Sequence, residues 1–101
     1  MGDDEFEWDD AKAAANDAKH GVTFAEASTV LLDPLAVTVF DAEHSQEEER
    51  WFTLGTTSEG RLLAVSHTHH ESPESAQAEV RIISAREATR HERQQYESEP
   101  R

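Results

Sequence analysis

Apolar and polar positions change rhythm several times along this chain, and each rhythm belongs to a different kind of element. Phe6 and Trp8 alternate with Glu5, Glu7 and Asp9, the period of two that predicts a short strand at a sheet edge. The alanine-rich AKAAANDAKHG then has Asp9 or Asp10 as an N-cap and Gly21 as a stop, which predicts a helix from about Ala11 to His20. TFAE, from Thr23 to Glu26, has capping-box spacing, with Val22 and Ala27 placed as a weak staple. A second helix starts there, gathers Phe24, Ala27, Val30 and Leu31 on one face, and stops at Asp33-Pro34.

Beyond this point the pattern turns β-like. LAVTVF (Leu35 to Phe40), RWFTLG (Arg50 to Gly55) and RLLAVSHT (Arg61 to Thr68) are compact, β-branched runs, separated by the polar DAEHSQEEE and the turn TTSEG. They read as a meander. Glu71 to Gln77 is a polar loop, EVRIIS (Glu79 to Ser84) is the last strand, and SARE at Ser84 is a second capping box that starts a final helix running to about Tyr96. The order is strand, helix, helix, four strands, helix. Without β-α-β alternation, it predicts an α+β fold: an antiparallel sheet with two N-terminal helices and one C-terminal helix. At 101 residues the expectation is a single domain over 1–101, ordered from about 5 to 97, with one modest core. No apolar run approaches the ~18 residues of a membrane span, and the start is neither basic nor apolar, so no membrane association or export is expected and the cytoplasm is the expected compartment.

Composition narrows the chemistry. The absence of cysteine excludes disulfides, thiolate metal sites and a cysteine nucleophile. HTHH puts His67 and His69 on one strand face, but a metal site needs a third ligand and a second shell that the sequence does not display, so neither a metal nor another cofactor is expected. G-x-x-x-x-G-K-[ST], G-x-S-x-G and H-E-x-x-H are all absent, which leaves nucleotide hydrolysis, serine chemistry and zinc proteolysis without support. The 22 acidic residues face only nine basic ones, of which Lys12 and Lys19 are the sole lysines, for a net charge of −13. A dense acidic surface poor in lysine fits a high-salt cytoplasm, where it stays hydrated while ions screen its self-repulsion.

Against that background, four arginines gather between 81 and 93, giving the segment a local charge of +2. Arg86, Arg90 and Arg93 fall at i, i+4 and i+7 of the expected final helix, with Arg81 on the strand before it. Like charges at this spacing do not help an isolated helix. Two readings stand: a solvated face whose arginines pair with Glu87, Glu92 or the acidic N-terminus, or an anion site in which the planar guanidinium grips phosphate. Lys19 and His20, in the last turn of the first helix, serve either the helix dipole or chemistry. A histidine such as His67 near phosphate-binding arginines has the means to transfer protons near neutral pH.

FEWDDAKAAANDAKHGVTFAEA, Asp33-Pro34, EER at Glu48 to Arg50, TLG at Thr53 to Gly55, GRLLAV and RIISAREATRHERQQYE together resemble the BrnT family of type II toxins, from Phe6 to Glu97. The pairing of W-D-x-x-K-x-x-x-N-x-x-K-H-G-V-x-F with a later R-I-I-S-A-R-x-A-T-x-x-E-R is what makes the likeness specific. The resemblance implies a RelE-like ribonuclease toxin, neutralised by a BrnA-type antitoxin that carries a DNA-binding region, so that operator DNA is reached only through the antitoxin. It also implies metal-independent cleavage of an RNA substrate by attack of the 2′-hydroxyl on the adjacent phosphate. Carried onto this chain, the RNA-binding residues are Arg61, Arg81, Arg86 and Arg90, and the catalytic candidates are Lys19, His20, Glu49, His67 and Arg86. RelE-like toxins are generally basic, and this chain is not. The alternative is a non-catalytic module that binds the antitoxin and acts in operon repression.

Overall fold

The computed structural model describes residues 4–44, 48–71 and 78–99. In chain order these form β1 (Asp4–Glu7), α1 (Asp10–His20), α2 (Phe24–Val30), β2 (Val37–Phe40), a 3-10 turn (Ala42–His44), β3 (Arg50–Thr56), β4 (Leu62–Thr68), β5 (His70–Glu71), β6 (Ala78–Glu87) and α3 (Arg90–Ser98). The fold is α+β, as the sequence predicts. The sheet order is β1-β6-β4-β3-β2, with the two-residue β5 also beside β6. All pairings are antiparallel except β1 with β6, which is parallel. No helix among the described residues is long and apolar enough to cross a membrane.

Local chemistry sets both ends of α1. The Asp9 carboxylate accepts the Lys12 N–H, and Gly21 stops the helix at φ +68°, a left-handed conformation that a residue without Cβ adopts freely. Thr23 caps α2 by accepting the Glu26 N–H. The Glu26 carboxylate is drawn away to Arg61, so only half of the expected box forms. Val22, Phe24, Ala27 and Val30 then pack on Leu63, Val65, Ile82 and Ala85, with Trp8 edge-on to Phe24. One face of the sheet is thereby covered by α1 and α2. Gly55 permits the close approach of α2: a Cβ there would meet Val30 Cγ1 at 2.8 Å and the Val30 carbonyl at 3.0 Å.

One buried side chain joins α1 to the sheet by hydrogen bonds. β1 reaches only as far as Arg81, so β6 is open on that side from Ile82 onward. There Asn16, buried, behaves as a substitute strand: its Oδ1 accepts the Ala85 N–H at 3.1 Å and its Nδ2 donates to the Ala85 carbonyl at 2.8 Å. The second Nδ2 hydrogen goes to the Val22 carbonyl. An amide is the only short side chain that presents donor and acceptor together in this way.

The final helix starts later than the sequence reading placed it. Ser84 lies in the middle of β6, opposite Ser66, and the chain stays extended to Glu87. Thr89 is the true N-cap, in a complete capping box with Glu92. A helix from Ser84 would take Ala85 out of the core and break its pairing with Val65, so tertiary contacts override one of two equivalent local signals. Arg86 is therefore a strand residue, and Arg86, Arg90 and Arg93 do not form one helical stripe. Most of the expected polar loop, 72–77, and 45–47 of the earlier connection lie outside the described residues.

Candidate functional site

Strand alternation decides where the charged residues project. Val65, packed under α2, marks the helix-covered face of the sheet, so Arg86, paired with Ala64 one position away, points to the opposite face. Its guanidinium carbon stands 5.9 Å from the centre of the Phe52 ring, within the range of a cation–π contact. Nη1 and Nη2 donate to the two oxygens of Glu92 at 2.8 and 3.0 Å, and Nη1 also reaches the Glu87 carbonyl at 3.3 Å. Glu92 is held in turn by the Thr89 N–H. The pair is mutually reinforcing: hydrogen bonding from Arg86 lowers the Glu92 pKa, and Glu92 raises that of Arg86. The guanidinium edge formed by Nε and the outer hydrogen of Nη2 meets no acceptor among the described residues, and the side chain is 40% exposed. A planar cation held over an aromatic ring, with a two-donor edge not engaged by any described residue, has a geometry that suits a phosphate.

His67 lies on the other face and is 4% exposed. Its Nδ1 sits 3.0 Å from the Thr68 carbonyl, which only accepts, so Nδ1 carries the proton. Burial lowers its pKa, which leaves Nε2 an acceptor for the Thr53 hydroxyl at 2.7 Å. Thr53 then accepts from Thr38 at 2.8 Å. The resulting chain, Thr38 to Thr53 to His67 to Thr68, occupies both ring nitrogens. It borders an open cavity of about 330 Å³, also lined by Leu31, Trp51, His69 and Val80. His67 and His69 do share a site, but no three His, Asp or Glu side chains among the described residues group as metal ligands.

The other candidates fall into two separate groups. Arg61 donates to Glu26 at 2.8 Å, to Glu87 at 3.0 Å and, more weakly, to the Gly21 carbonyl at 3.4 Å, riveting the end of α1 and the start of α2 to β6. Lys19 and His20 are exposed at that helix end. Arg81, at the other end of β4, is ion-paired with Glu48 and shares a surface depression with Glu49 and His69. The Arg81 N–H bonds Thr68, seven residues from Arg61 and hence about 23 Å along an extended chain. Arg61 and Arg81 do not converge on one phosphate. Arg90 is exposed at the first position of α3, where the helix dipole disfavours a cation. Of the expected pairings of the clustered arginines, Arg86 with Glu92 forms; Glu87 pairs instead with Arg61, Arg81 with Glu48, and Arg93 lies 3.8 Å from Glu97.

Sequence reasoning missed Phe52, Thr38, Thr53 and the two-oxygen grip of Glu92, because nothing local marks a ring or hydroxyl as lying beneath a particular side chain. Several residues of the motif that carries the resemblance are structural. Trp8, Asp9, Asn16, Gly21, Val22 and Phe24 all serve folding.

A family model described as ribonuclease toxin, BrnT, of type II toxin-antitoxin system matches residues 8–92. Among solved structures, the crystal structure of the Brucella abortus ribonuclease toxin BrnT is similar in fold, with a TM-score of 0.59 and 24% sequence identity, over 86% of this chain and 99% of that one. No curated protein sequence matches the chain.

Proposed function

This chain belongs to the BrnT family of ribonuclease toxins of type II toxin–antitoxin systems, and from that premise we propose that it cleaves RNA without a metal ion at a RelE-like site centred on Arg86. Membership in a type II system implies an antitoxin partner. We assign that partner to the BrnA type, with operator DNA reached only through it.

In this reading the free edge of Arg86 holds a phosphate on the open sheet face while Phe52 supports the guanidinium from below. The RNA 2′-oxygen attacks the adjacent phosphorus, the bond to the 5′-oxygen breaks, and the products are a 2′,3′-cyclic phosphate and a 5′-hydroxyl. One proton leaves the 2′-hydroxyl and one is delivered to the departing oxygen, so no oxidant or further reactant is required. Arg86 stabilises the charge that builds on the phosphate oxygens. His67, with both nitrogens engaged and on the other face, takes no part. Lys19 and His20 lie with Arg61 at the end of α1 and Glu49 lies with Arg81, so these candidates do not serve the Arg86 face. The observation that carries the proposal is the outward edge of Arg86.

One observation favours the alternative of a non-catalytic antitoxin-binding module: Arg61, Arg81 and Arg86 each already hold a carboxylate. Incubating purified protein with RNA in low and multimolar KCl, with and without EDTA, separates the readings. Cleavage indifferent to EDTA and leaving cyclic phosphate ends is the expected result. No cleavage in any salt would support the binding module, and loss of cleavage in EDTA would require a metal.

A further inference from the structure

Among the described residues, β2 ends the sheet and has a neighbour only on its β3 side. The exposed large apolar side chains among the described residues are Leu32 (64%), Leu35 (46%), Val39 (51%) and Phe40 (45%), all between residues 32 and 40. In a chain of net charge −13 this concentration is unusual, because exposed edges are commonly blunted with charge. Val39 and Phe40 project to opposite faces, so a strand laid against β2 would find apolar surface on either side. Val39 pairs with Phe52, on which Arg86 rests, while Phe40 packs edge-on against Trp51 at 5.2 Å between ring centres.

We propose that the β2 edge is the docking site of the antitoxin, which adds an extended segment bearing apolar and basic side chains. The inference rests on the family reading, which supplies a protein antitoxin. Charge selects this occupant over a second copy of the chain. Pairing β2 with another β2 would bring together two molecules of net charge −13, with Asp41 and Glu43 beside each edge, whereas a basic segment is attracted to the same rim. A strand on β2 lengthens the face that carries Val39 and Phe52, with its side chains on that face next to Val39.

The test uses the full chain and, as the probe, the protein encoded by the adjacent reading frame, co-expressed with it. Hydrogen exchange is measured on the free chain and on the complex. The docking model expects slowed exchange at the β2 amides of Val37 to Phe40 in the complex. It further expects Leu35→Glu and Phe40→Glu to weaken binding by roughly 30-fold or more, as for an interface hot spot, while RNA cleavage by the free variants is unchanged. Circular dichroism checks their folding, and the exchange measurement on the unaltered chain needs no variant. Protection confined to the Arg86 face and α3, with both variants binding normally, overturns the proposal. So does a concentration-dependent dimer of the free chain that protects β2, which makes a second copy the occupant, and so does failure of the probe to bind. Protection of β2 without any RNA cleavage leaves the docking site standing and removes the ribonuclease reading.

Discussion

At the scale of single residues, His67 is the internal pH gauge of the fold. Burial holds its pKa below the ordinary 6.5, so in the window below that value the unfolded chain binds a proton that the folded chain resists. Stability is therefore fully present above pH ~6.5 and falls as the pH drops toward the folded value. Denaturant unfolding between pH 7.5 and 5 should show this decline, and His67→Gln should flatten it. An unchanged slope in the variant would assign the decline to other groups. Glu92 acts in a lower window: its lowered pKa gives stability above the ordinary 4.5 that is lost as pH falls through the folded value. The two losses begin at different pH, below about 6.5 for His67 and below about 4.5 for Glu92.

Among the elements, α3 and α1 show what a local signal can and cannot determine. Thr89→Ala should cost about 1 kcal/mol by removing the α3 cap, whereas Ser84→Ala, in mid-strand, should cost much less. Thermal unfolding of both variants distinguishes the two starts of the helix. Asn16→Ala should be more damaging, by roughly 3 kcal/mol, because it strands the buried Ala85 N–H and two carbonyls together. Asn16→Asp should not rescue it, since a carboxylate donates to neither carbonyl. The caps at Asp9, Gly21 and Thr23 were legible in the sequence because each partner is a turn away. Ser84 and Thr89 are equally good caps by spacing, and only the pairing of β6 with β4 on one edge and Asn16 on the other chooses between them. The site was legible in the same partial way. Arg86 stands out as an arginine in an acidic chain, but its strand position, Phe52 beneath it and the Thr38–Thr53–His67 chain depend on partners far apart in sequence, beyond the reach of any local pattern.

For the whole molecule, the net charge of −13 bears on folding and, in the proposed ribonuclease reading, on the approach of RNA. Salt screens the repulsion among the carboxylates over a Debye length of about 10 Å at 0.1 M and about 3 Å at 1 M. The thermal midpoint should therefore rise from low to multimolar KCl, and a midpoint independent of salt would contradict a high-salt adaptation. Long-range repulsion of RNA should fade over the same range, leaving the short contacts of Arg86 to decide binding. The most direct test of the account is RNA cleavage by the purified wild-type chain and by Arg86→Ala, side by side in EDTA and high KCl, with circular dichroism and the thermal midpoint recorded for both. Arg86→Ala should fold normally and lose cleavage by a factor corresponding to roughly 2–4 kcal/mol of barrier, the scale for removing one transition-state donor, and Arg86→Lys should restore little because it lacks the two-donor edge. A folded Arg86→Ala chain that cleaves RNA at the wild-type rate would contradict the account.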